Sequence, residues 1–253
     1  MSDRFRIDGK AALVTGGGRG LGRAMAVGLA EAGADVCVVA RRADDLAETV
    51  KLIEATGRRG LAFVGDVCET ATATGAVAAC VEAFGSLDIL VNNAGLYGMG
   101  PLADTPDDDW VAVIDTNLVA SFRFAKAAAS HLAAGGWGRV LNVSSVLGTF
   151  GVGEATAYCA AKAGVAGFTR SLAIEWAPSG VGVNAIAPGL FNTDMSAGVM
   201  ENKEFYDMVV GGIPRGKHGE PDEIVGTAVW LCTPASNHVV GQTVHVDGGA
   251  TIA

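Results

Sequence analysis

A tyrosine and a lysine four residues apart, Tyr158 and Lys162, have the side chains needed for acid–base chemistry. Residues at positions i and i+4 lie on one face of a helix, so the lysine ammonium would sit beside the phenol. A neighbouring positive charge favours the phenolate, and we expect it to lower the pKa of Tyr158 from about 10 towards working pH. Such a tyrosine can give a proton to a carbonyl oxygen as the carbon accepts a hydride, or take it back from an alcohol.

Two further polar groups are expected near this pair. Ser145 ends an apolar run thirteen residues before Tyr158, and its hydroxyl could hydrogen-bond the reacting oxygen. Asn92–Gly95 follows another apolar run and offers a polar turn beside a cofactor. Because ligands of open α/β sheets bind at the carboxyl ends of the strands, we expect these groups to share one crevice.

A glycine-rich turn, TGGGRGLG, follows the first apolar run of the chain. Its spacing, Gly16-xxx-Gly20-x-Gly22, differs from the common GxGxxG. Glycines permit a tight turn and a close approach of backbone N–H groups to a pyrophosphate, while the start of the next helix adds a favourable dipole. We therefore predict a dinucleotide site that includes Gly16, Gly18, Arg19, Gly20 and Leu21.

The end of the second predicted strand bears on the choice of cofactor. NAD-binding folds place an acidic residue about 20 residues after the glycines, where it binds the ribose 2′-hydroxyl. This chain has Ala40 there, followed by Arg41 and Arg42. A guanidinium can hold a 2′-phosphate with two hydrogen bonds, and Arg19 could reach it from the other side. We expect NADP(H) rather than NAD(H); the alternative is that the two arginines are merely solvated.

Short apolar runs alternate with helical patterns along the whole chain. Most runs are continuously apolar, as expected for strands buried on both faces, and the alternation predicts an α/β fold with a doubly wound parallel sheet. The predicted strands are 11–15, 35–40, 61–64, 89–91, 140–143, 183–186 and 243–246. The predicted helices include 21–32, 43–56, 70–84 and 110–132. Thr105 and Glu220, each followed by proline and acidic residues, indicate further helix starts.

Composition and charge restrict the class of protein. The 253 residues carry a net charge of −9, and half of them are hydrophobic, so one domain over 1–253 is the simplest interpretation. Because 18 basic residues are scattered among 27 acidic ones, we expect no nucleic-acid partner. No apolar run is long enough to span a membrane, and the N-terminus has no apolar stretch, so we expect a cytoplasmic protein. Five cysteines without CxxC spacing predict neither a disulfide framework nor a metal site.

The chain resembles the short-chain dehydrogenase/reductase family over essentially its whole length. The motifs that carry the likeness, in the family's order and spacing, are TGGGRGLG (15–22), Asp66-Val67, NNAG (92–95), Asn117, Ser145, YCAAK (158–162) and Pro188-Gly189 with Thr193. The resemblance implies a single-domain Rossmann-type fold with strand order 3-2-1-4-5-6-7. It also implies an NAD(P)-dependent dehydrogenase or reductase, commonly a homotetramer.

The resemblance implies a role for each matched residue. Tyr158 would be the general acid/base, Lys162 would lower its pKa and bind the nicotinamide ribose, and Ser145 would orient the substrate carbonyl. Asn117 would hold a water in a proton relay. The others would bind the cofactor: Arg41 the 2′-phosphate, Asp66 with Val67 the adenine end, Asn93, Ala94 and Gly95 the adenosine side, and Pro188, Gly189, Leu190 and Thr193 the nicotinamide.

Two substrate classes are left open by the sequence. Four segments (101–106, 115–118, 173–178 and 219–223) look like the gluconate 5-dehydrogenase group, which reduces a keto-sugar acid. The overall pattern is equally similar to 3-oxoacyl-carrier-protein reductases. Such an enzyme must dock an acidic partner, and the net charge and the absence of basic residues in 133–138 and 178–180 disfavour it. A cofactor-binding regulator without turnover is a third possibility, disfavoured by the complete Ser-Tyr-Lys-Asn set.

The residues expected to line the substrate pocket are largely apolar, which suits a hydrophobic ketone better than a polyhydroxylated acid. They are Leu96, Tyr97, Met99, Val146, Phe150, Val152, Leu190, Phe191 and Met195. A weakly periodic loop over 189–217 is expected to form a substrate lid. Within it, Lys203 and Arg215 are the candidates for binding a carboxylate.

Overall fold

Seven apolar segments form one parallel sheet in the computed structural model, which describes residues 3–253. The order across the sheet is 3-2-1-4-5-6-7, which confirms the predicted doubly wound α/β, Rossmann-type fold. The strands are β1 Ala11–Thr15, β2 Asp35–Ala40, β3 Gly60–Val64, β4 Ile89–Asn92, β5 Gly138–Val143, β6 Val181–Pro188 and β7 Thr243–Val246.

Helices connect the strands and cover both faces of the sheet. They are α1 Gly20–Glu31, α2 Ala43–Ala55, α3 Thr70–Phe84, α4 Asp107–Ile114, α5 Ala120–Ala134, α6 Thr156–Trp176, α7 Ala197–Glu201, α8 Lys203–Gly211 and α9 Val225–Leu231. Every residue of β1 and of β5 is buried, as the continuously apolar runs predict. No helix within residues 3–253 is long and apolar enough to cross a membrane.

The core consists of two layers, one on each face of the sheet. Along β1, Ala12 and Val14 pack with residues of α1, α2 and α9, whereas Ala11 and Leu13 pack with residues of α3, α5 and α6. Successive strand residues point to opposite faces, so one short strand serves both layers. The carboxyl ends of β1, β4, β5 and β6 therefore lie side by side on a rigid support.

One predicted helix is interrupted in the structure. The sequence predicts a single helix over 110–132, but α4 ends at Ile114 and a π-helical turn over Asp115–Val119 separates it from α5. Such turns add one residue to a helical turn and are frequent at functional sites. This turn contains Asn117, whose side chain is buried. The interruption leaves no trace in the apolar spacing, which is why periodicity missed it.

Three further predictions have different outcomes. Glu220 forms a capping box with Glu223, as expected from its acidic, proline-containing helix start. Thr105 does not cap α4, because Pro106 occupies the flanking position and the Thr105 hydroxyl donates to the carbonyl of Pro101 at 3.0 Å. The segment 189–217 is not a bare loop, since it contains α7 and α8.

Candidate active site

Ser145 is the second residue after β5, and its contacts differ from those of its neighbour Ser144. The Ser144 hydroxyl donates to the carbonyl of Lys162 at 2.9 Å and so is used to attach the strand end to α6. The Ser145 oxygen accepts a hydrogen bond from the Leu147 N–H at 3.1 Å and can still donate its own proton. This distinguishes two adjacent serines that composition alone cannot separate.

Tyr158 and Lys162 lie one turn apart on α6 and are both buried, with 8% and 3% of their surfaces exposed. The Lys162 Nζ lies 5.5 Å from the centre of the Tyr158 ring. It donates a 2.8 Å hydrogen bond to the carbonyl of Val143, the last residue of β5. The lysine therefore ties the helix to the strand end beside Ser145. The predicted pairing on one helix face is present.

The protonation of this pair differs from the sequence expectation. Burial raises the pKa of Tyr158 to about 12, while the Ser145 hydroxyl acts in the opposite direction. Burial also lowers the pKa of Lys162 to about 8. The pKa of Tyr158 is therefore raised and not lowered towards working pH as expected, because desolvation of the phenolate dominates in the protein chain by itself. Tyr158 is thus held in its protonated form.

Asn117 connects the π-helical turn to the loop after β4. Its Nδ2 donates to the carbonyls of Leu96 at 2.7 Å and Val113 at 2.8 Å. Its buried Oδ1 has no hydrogen-bond partner among residues 3–253. A Cβ placed on Gly95 would lie 3.0 Å from this oxygen. Asn117 therefore fixes the loop that borders Tyr158, and one acceptor is left for a further group.

The glycine-rich turn leaves no room for side chains. Gly16 and Gly20 have φ values of +64° and +53°, which L residues rarely adopt. A Cβ on Gly22 would collide with the Gly16 carbonyl oxygen, and a Cβ on Gly18 would lie 3.0 Å from that of Asp45. The turn is therefore a close-packed backbone cradle at the start of α1, the form that suits a pyrophosphate.

Thr15 holds the two halves of this cradle together, and sequence analysis did not single it out. Its hydroxyl oxygen accepts from the backbone N–H groups of Asn93 at 3.0 Å and Ala94 at 3.1 Å. The Asn93 side chain donates to the carbonyls of Thr15 at 2.9 Å and Gly16 at 3.2 Å. The NNAG turn and the glycine turn thus form one unit. The sequence pattern that could have identified Thr15 is a threonine at the end of a predicted strand, directly before the glycines.

The end of β2 presents two arginines in different states. Arg42 is paired with Asp45 on the first turn of α2. Arg41 is 78% exposed in its side chain, and its nearest acidic partner is Asp66 at 3.9 Å. The Asp66 carboxylate also accepts from the Cys68 N–H at 3.0 Å, and Val67 beside it is buried. Only Arg41 is therefore free to bind an added anion here.

Arg23, which sequence analysis did not single out, contacts both the glycine turn and α2. Its guanidinium donates to Thr49 at 3.0 Å and to the carbonyls of Gly18 and Asp45. It thus joins the glycine turn to the start of α2. Arg19 does not point to β2 as expected but pairs with Asp194, across the cleft from the turn. The predicted second contact of Arg19 with a 2′-phosphate is therefore not preformed.

The end of β6 carries the residues expected to bind the nicotinamide. The Gly189 N–H donates to Val246 at 3.0 Å, and a Cβ on Gly189 would lie 2.9 Å from Asp247. The carbonyl of Leu190 accepts from Gly219 at 2.9 Å. Thr193 forms a capping box with Ser196 and lies opposite Gly20. Thr193 is thus brought to the glycine turn, with a cavity of about 420 Å³ between Thr193 and α7, while Pro188, Gly189 and Leu190 stand at the end of β6.

The mouth of the crevice beside Tyr158 is apolar. Met195 reaches from the segment after β6 to within 3.6 Å of a Cβ placed on Gly95. The Gly100 N–H donates to the Glu154 carbonyl at 2.8 Å, which joins the two loops that border the site. Large apolar side chains with a third or more of their surface exposed in these loops are Leu96, Met99, Phe150, Val152 and Met195.

The two candidate carboxylate-binding residues have different surroundings. Lys203, on the outer turn of α8, forms an ion pair with Asp207 at 2.5 Å. Arg215 lies beside Gly248, to whose carbonyl its N–H donates at 3.0 Å, after β7. Neither contacts a residue that borders Tyr158. The expectation of a carboxylate site at these residues has no support in the structure.

Comparison with known proteins identifies the family. Residues 16–251 match the family described as enoyl-(acyl carrier protein) reductase, and the matched stretch contains the glycine turn, NNAG and YCAAK. The chain belongs to the short-chain dehydrogenase/reductase family. This short-chain dehydrogenase/reductase is 36% identical to gluconate 5-dehydrogenase of Gluconobacter oxydans, over 99% of its own length and 98% of that protein.

Two more relatives of this short-chain dehydrogenase/reductase bear on cofactor and substrate. It is 38% identical to a 3-oxoacyl-(acyl-carrier-protein) reductase of Vibrio harveyi, over 97% of this chain and 98% of the relative. A gluconate 5-dehydrogenase of Burkholderia cenocepacia, solved in complex with NADP and tartrate, has a TM-score of 0.95 and 38% identity, covering 99% of this chain and 98% of the other. The similarity thus extends over whole chains.

The depressed pKa of Lys162 has a consequence for stability. The folded pKa of about 8 lies below the ordinary value of 10.5, so between these pH values the unfolded chain binds more protons than the folded one. The free energy of unfolding should therefore rise with pH across this window, by up to about 3 kcal/mol from this group.

Urea unfolding between pH 8 and pH 10 tests this prediction. The rise in the free energy of unfolding should be smaller for Lys162→Met than for the natural chain. The exposed Lys126, replaced by Met, is the matched control and should leave the rise unchanged; an equal rise in all three proteins would contradict the assignment.

Proposed function

We propose that this protein is an NADP(H)-dependent oxidoreductase that interconverts a ketone and a secondary alcohol, with Tyr158 as the general acid/base. The observation that carries the proposal is the convergence of Tyr158, Ser145 and Lys162 at one strand end. The glycine cradle lies at the same edge of the sheet. Sites in open α/β folds form at this edge, and the three side chains supply the groups that carbonyl reduction needs.

Each polar side chain has a distinct task in this proposal. Burial keeps the Tyr158 hydroxyl protonated, so it can deliver a proton to a carbonyl oxygen. The Ser145 hydroxyl, whose oxygen is already fixed by the Leu147 N–H, donates a hydrogen bond to the same oxygen. Lys162 anchors α6 to Val143 and places positive charge beside the phenol when the proton leaves. Asn117 offers its free Oδ1 to a water that returns the proton from solvent.

The residues present fit a dinucleotide with a 2′-phosphate. The cradle admits no Cβ at Gly16 or Gly22, so backbone N–H groups can approach a pyrophosphate closely. No acidic residue ends β2, and Arg41 is exposed there without a close partner. Bound NADP(H) would supply the hydride donor or acceptor. Support from relatives comes from the NADP found in the Burkholderia cenocepacia enzyme.

The substrate class that we propose is a small ketone with an apolar portion. Leu96, Met99 and Phe150 border the crevice and are partly exposed, which favours contact with an apolar group. The gluconate 5-dehydrogenase relatives support a keto-sugar acid as the second candidate. The 3-oxoacyl-carrier-protein reductase alternative is favoured only by overall similarity, since 133–138 and 178–180 offer no basic docking surface.

Initial rates of NADPH consumption with the purified protein test this proposal. The substrates are 5-keto-gluconate, a 3-oxoacyl thioester and a simple hydrophobic ketone, with NADH in parallel. We expect reduction of the hydrophobic ketone with NADPH preferred to NADH. Turnover of the keto acid alone would move the protein to sugar-acid metabolism, and preference for the thioester would restore the carrier-protein alternative. No consumption with any of the three would contradict the proposed activity.

The segment 189–217 is proposed as the substrate lid, and a hydrogen-bonded chain fastens it. The Tyr206 hydroxyl of α8 bonds the His218 Nδ1 at 2.7 Å, and the His218 Nε2 bonds Glu220 at 3.1 Å. The other Glu220 oxygen accepts from Asn192 at 3.3 Å, next to Thr193 at the cofactor cleft. The position of α8 is thus coupled to the proposed nicotinamide-binding segment.

Tyr206→Phe should loosen this lid without removing its ring. Loss of one hydrogen bond of roughly 1 kcal/mol corresponds to about a fivefold rise in the KM for NADPH, with faster tryptic cleavage after Lys203 or Arg215. Both readouts are compared with those of Met208→Leu, a change at an exposed position of the same helix. Unaltered KM and unaltered cleavage in Tyr206→Phe would show that the chain of bonds does not hold the lid.

The assembly expected from the family is a homotetramer, and we propose it for this chain. Val111 on α4, Phe122 on α5 and Ile174 on α6 are exposed apolar side chains that an interface would cover. Sedimentation equilibrium should give a mass near four times the 25.6 kDa of one chain. A stable monomer would refute the proposal.

A further inference from the structure

Tyr97 is a second phenol beside the proposed catalytic tyrosine. It lies two residues after the NNAG turn, on the loop that Asn117 fixes through the Leu96 carbonyl. Its ring meets that of Tyr158 edge to face, with centroids 5.0 Å apart and an interplanar angle of 78°. Together with Trp110 and Leu147 it packs on the small cluster that contains Tyr158. The loop after β4 thus holds Tyr97 as one wall of the reaction site.

The hydroxyl of Tyr97 has a weak partner. It donates only to the thioether sulfur of Met99, at 3.7 Å, among the residues from 3 to 253. Thioether sulfur is a poor acceptor, so an oxygen atom in the crevice would replace it readily. Partial burial raises the pKa of Tyr97 above its ordinary value, which keeps the hydroxyl protonated and able to donate. Tyr206, by contrast, has its hydroxyl bonded to His218.

The rest of this wall has little that could bind a polar substrate group. Leu96, Met99, Phe150 and Val152 are apolar, Lys203 is paired with Asp207, and no described contact joins Arg215 to this wall. Glu154 contributes its backbone carbonyl to Gly100, and its carboxylate would repel an anionic group. The Tyr97 hydroxyl is therefore the donor best placed to recognise a second substrate oxygen next to the reacting carbonyl.

We propose that Tyr97 is a specificity-determining residue whose hydroxyl donates to a second oxygen of the substrate, on the carbon next to the reacting ketone or one further along. The proposal rests on the proposed ketone reduction. Under this proposal the site prefers ketones that carry a second oxygen to simple ketones, and the apolar remainder of the substrate packs against Leu96 and Phe150. A hydroxyketone and a 3-oxoester both present such an oxygen, so the substrate class is defined by the placing of the two oxygens.

The test compares Tyr97→Phe with the natural chain on matched substrates. The pair is 2-hydroxycyclohexanone and cyclohexanone, with ethyl 3-oxobutanoate as the more distant arm. Loss of one hydrogen bond should lower kcat/KM for at least one oxygenated ketone about tenfold, mainly through KM, and leave cyclohexanone unchanged. The pH profile of kcat should be unchanged, because the ring against Tyr158 is retained. NADPH binding by fluorescence confirms that the variant is folded.

Other outcomes overturn the proposal in distinguishable ways. An equal loss on all three substrates, with a shifted pH profile, would mean that Tyr97 acts only through Tyr158. No change on any substrate would mean that the hydroxyl binds nothing. Tyr97→Leu, which removes the ring as well, should lower kcat on cyclohexanone too, because the ring packs against Tyr158; unchanged kcat/KM on both oxygenated ketones in this variant would also overturn the proposal. If the natural chain reduces none of the ketones with NADPH, the proposed function itself fails.

Discussion

Replacement of Tyr158 by Phe should lower kcat/KM for ketone reduction by about 10²–10⁴-fold, the range that a positioned general acid contributes. The Tyr158 phenol is the buried acidic group of the apolar cluster that it forms with Val113 and Ala157. Phe keeps the ring and its packing against Tyr97, so the fold and the crevice should be retained. The loss should therefore lie in kcat, and affinity for NADPH should change little.

The neighbouring position on the same helix provides the control for this prediction. Cys159 is a free thiol on α6, and nothing in the proposed mechanism uses it. Cys159→Ala should keep activity within about twofold of the natural chain, since an exposed or half-buried small side chain contributes little. Rates are measured by NADPH absorbance at saturating ketone, and circular dichroism compares the folds. Tyr158→Phe that keeps more than a tenth of the activity would remove the general-acid assignment.

The sequence predicted the architecture well because its signal is local. Continuous apolar runs such as Ala11–Thr15 and Asp35–Ala40 match strands residue for residue, since burial on both faces demands apolar residues throughout. Strands β5 and β6 are longer than predicted, and the extension of β5 includes Arg139, which is polar but buried, as is Asn184 within β6. Each forms a tertiary hydrogen bond: Asn184 donates to the Val239 carbonyl at 2.7 Å, and Arg139 donates to the Asn237 side chain. A pattern of hydrophobicity cannot record such contacts.

The sequence predicted which residues form the site, but it did not predict the contacts that these residues make. Motif spacing located Tyr158, Lys162 and Ser145, since all follow directly from strand ends and helix periodicity. The sequence did not predict the surroundings of each side chain. Neither the raised pKa of Tyr158 nor the ion pair between Arg19 and Asp194 follows from the motifs. These depend on which side chains meet in three dimensions.

A buried polar chain beneath the site illustrates the same limit. Asn92 donates to the Asn142 oxygen at 2.9 Å, and Asn142 donates to Thr169 on α6 at 2.9 Å. The chain crosses from β4 through β5 to α6. It fixes the relative height of these elements, because a buried amide left unpaired costs about 1–3 kcal/mol. Its members are 50 and 27 residues apart, so no local pattern reveals it.

The choice between NADPH and NADH should depend on Arg41 and not on its neighbour. Arg41→Ala should weaken NADPH binding about 10- to 100-fold, because a charged hydrogen-bonding contact contributes roughly 1.5–3 kcal/mol. NADH has no 2′-phosphate, so its affinity should be unchanged. Arg41→Asp should weaken NADPH binding further, since a carboxylate repels the phosphate, and should reverse the preference.

Arg42→Ala is the matched control, because this arginine is already paired with Asp45 and has no free charge to offer. It should alter the Kd of either cofactor by less than about threefold, the scale of an exposed ion pair. Titration of tryptophan fluorescence gives both constants for all four proteins. Equal losses in Arg41→Ala and Arg42→Ala would mean that general positive charge, and not one contact, attracts NADPH. The difference between the two arginines follows from Asp45, which stands three residues after Arg42 and binds it on the first turn of α2, while Arg41 remains exposed at the strand end.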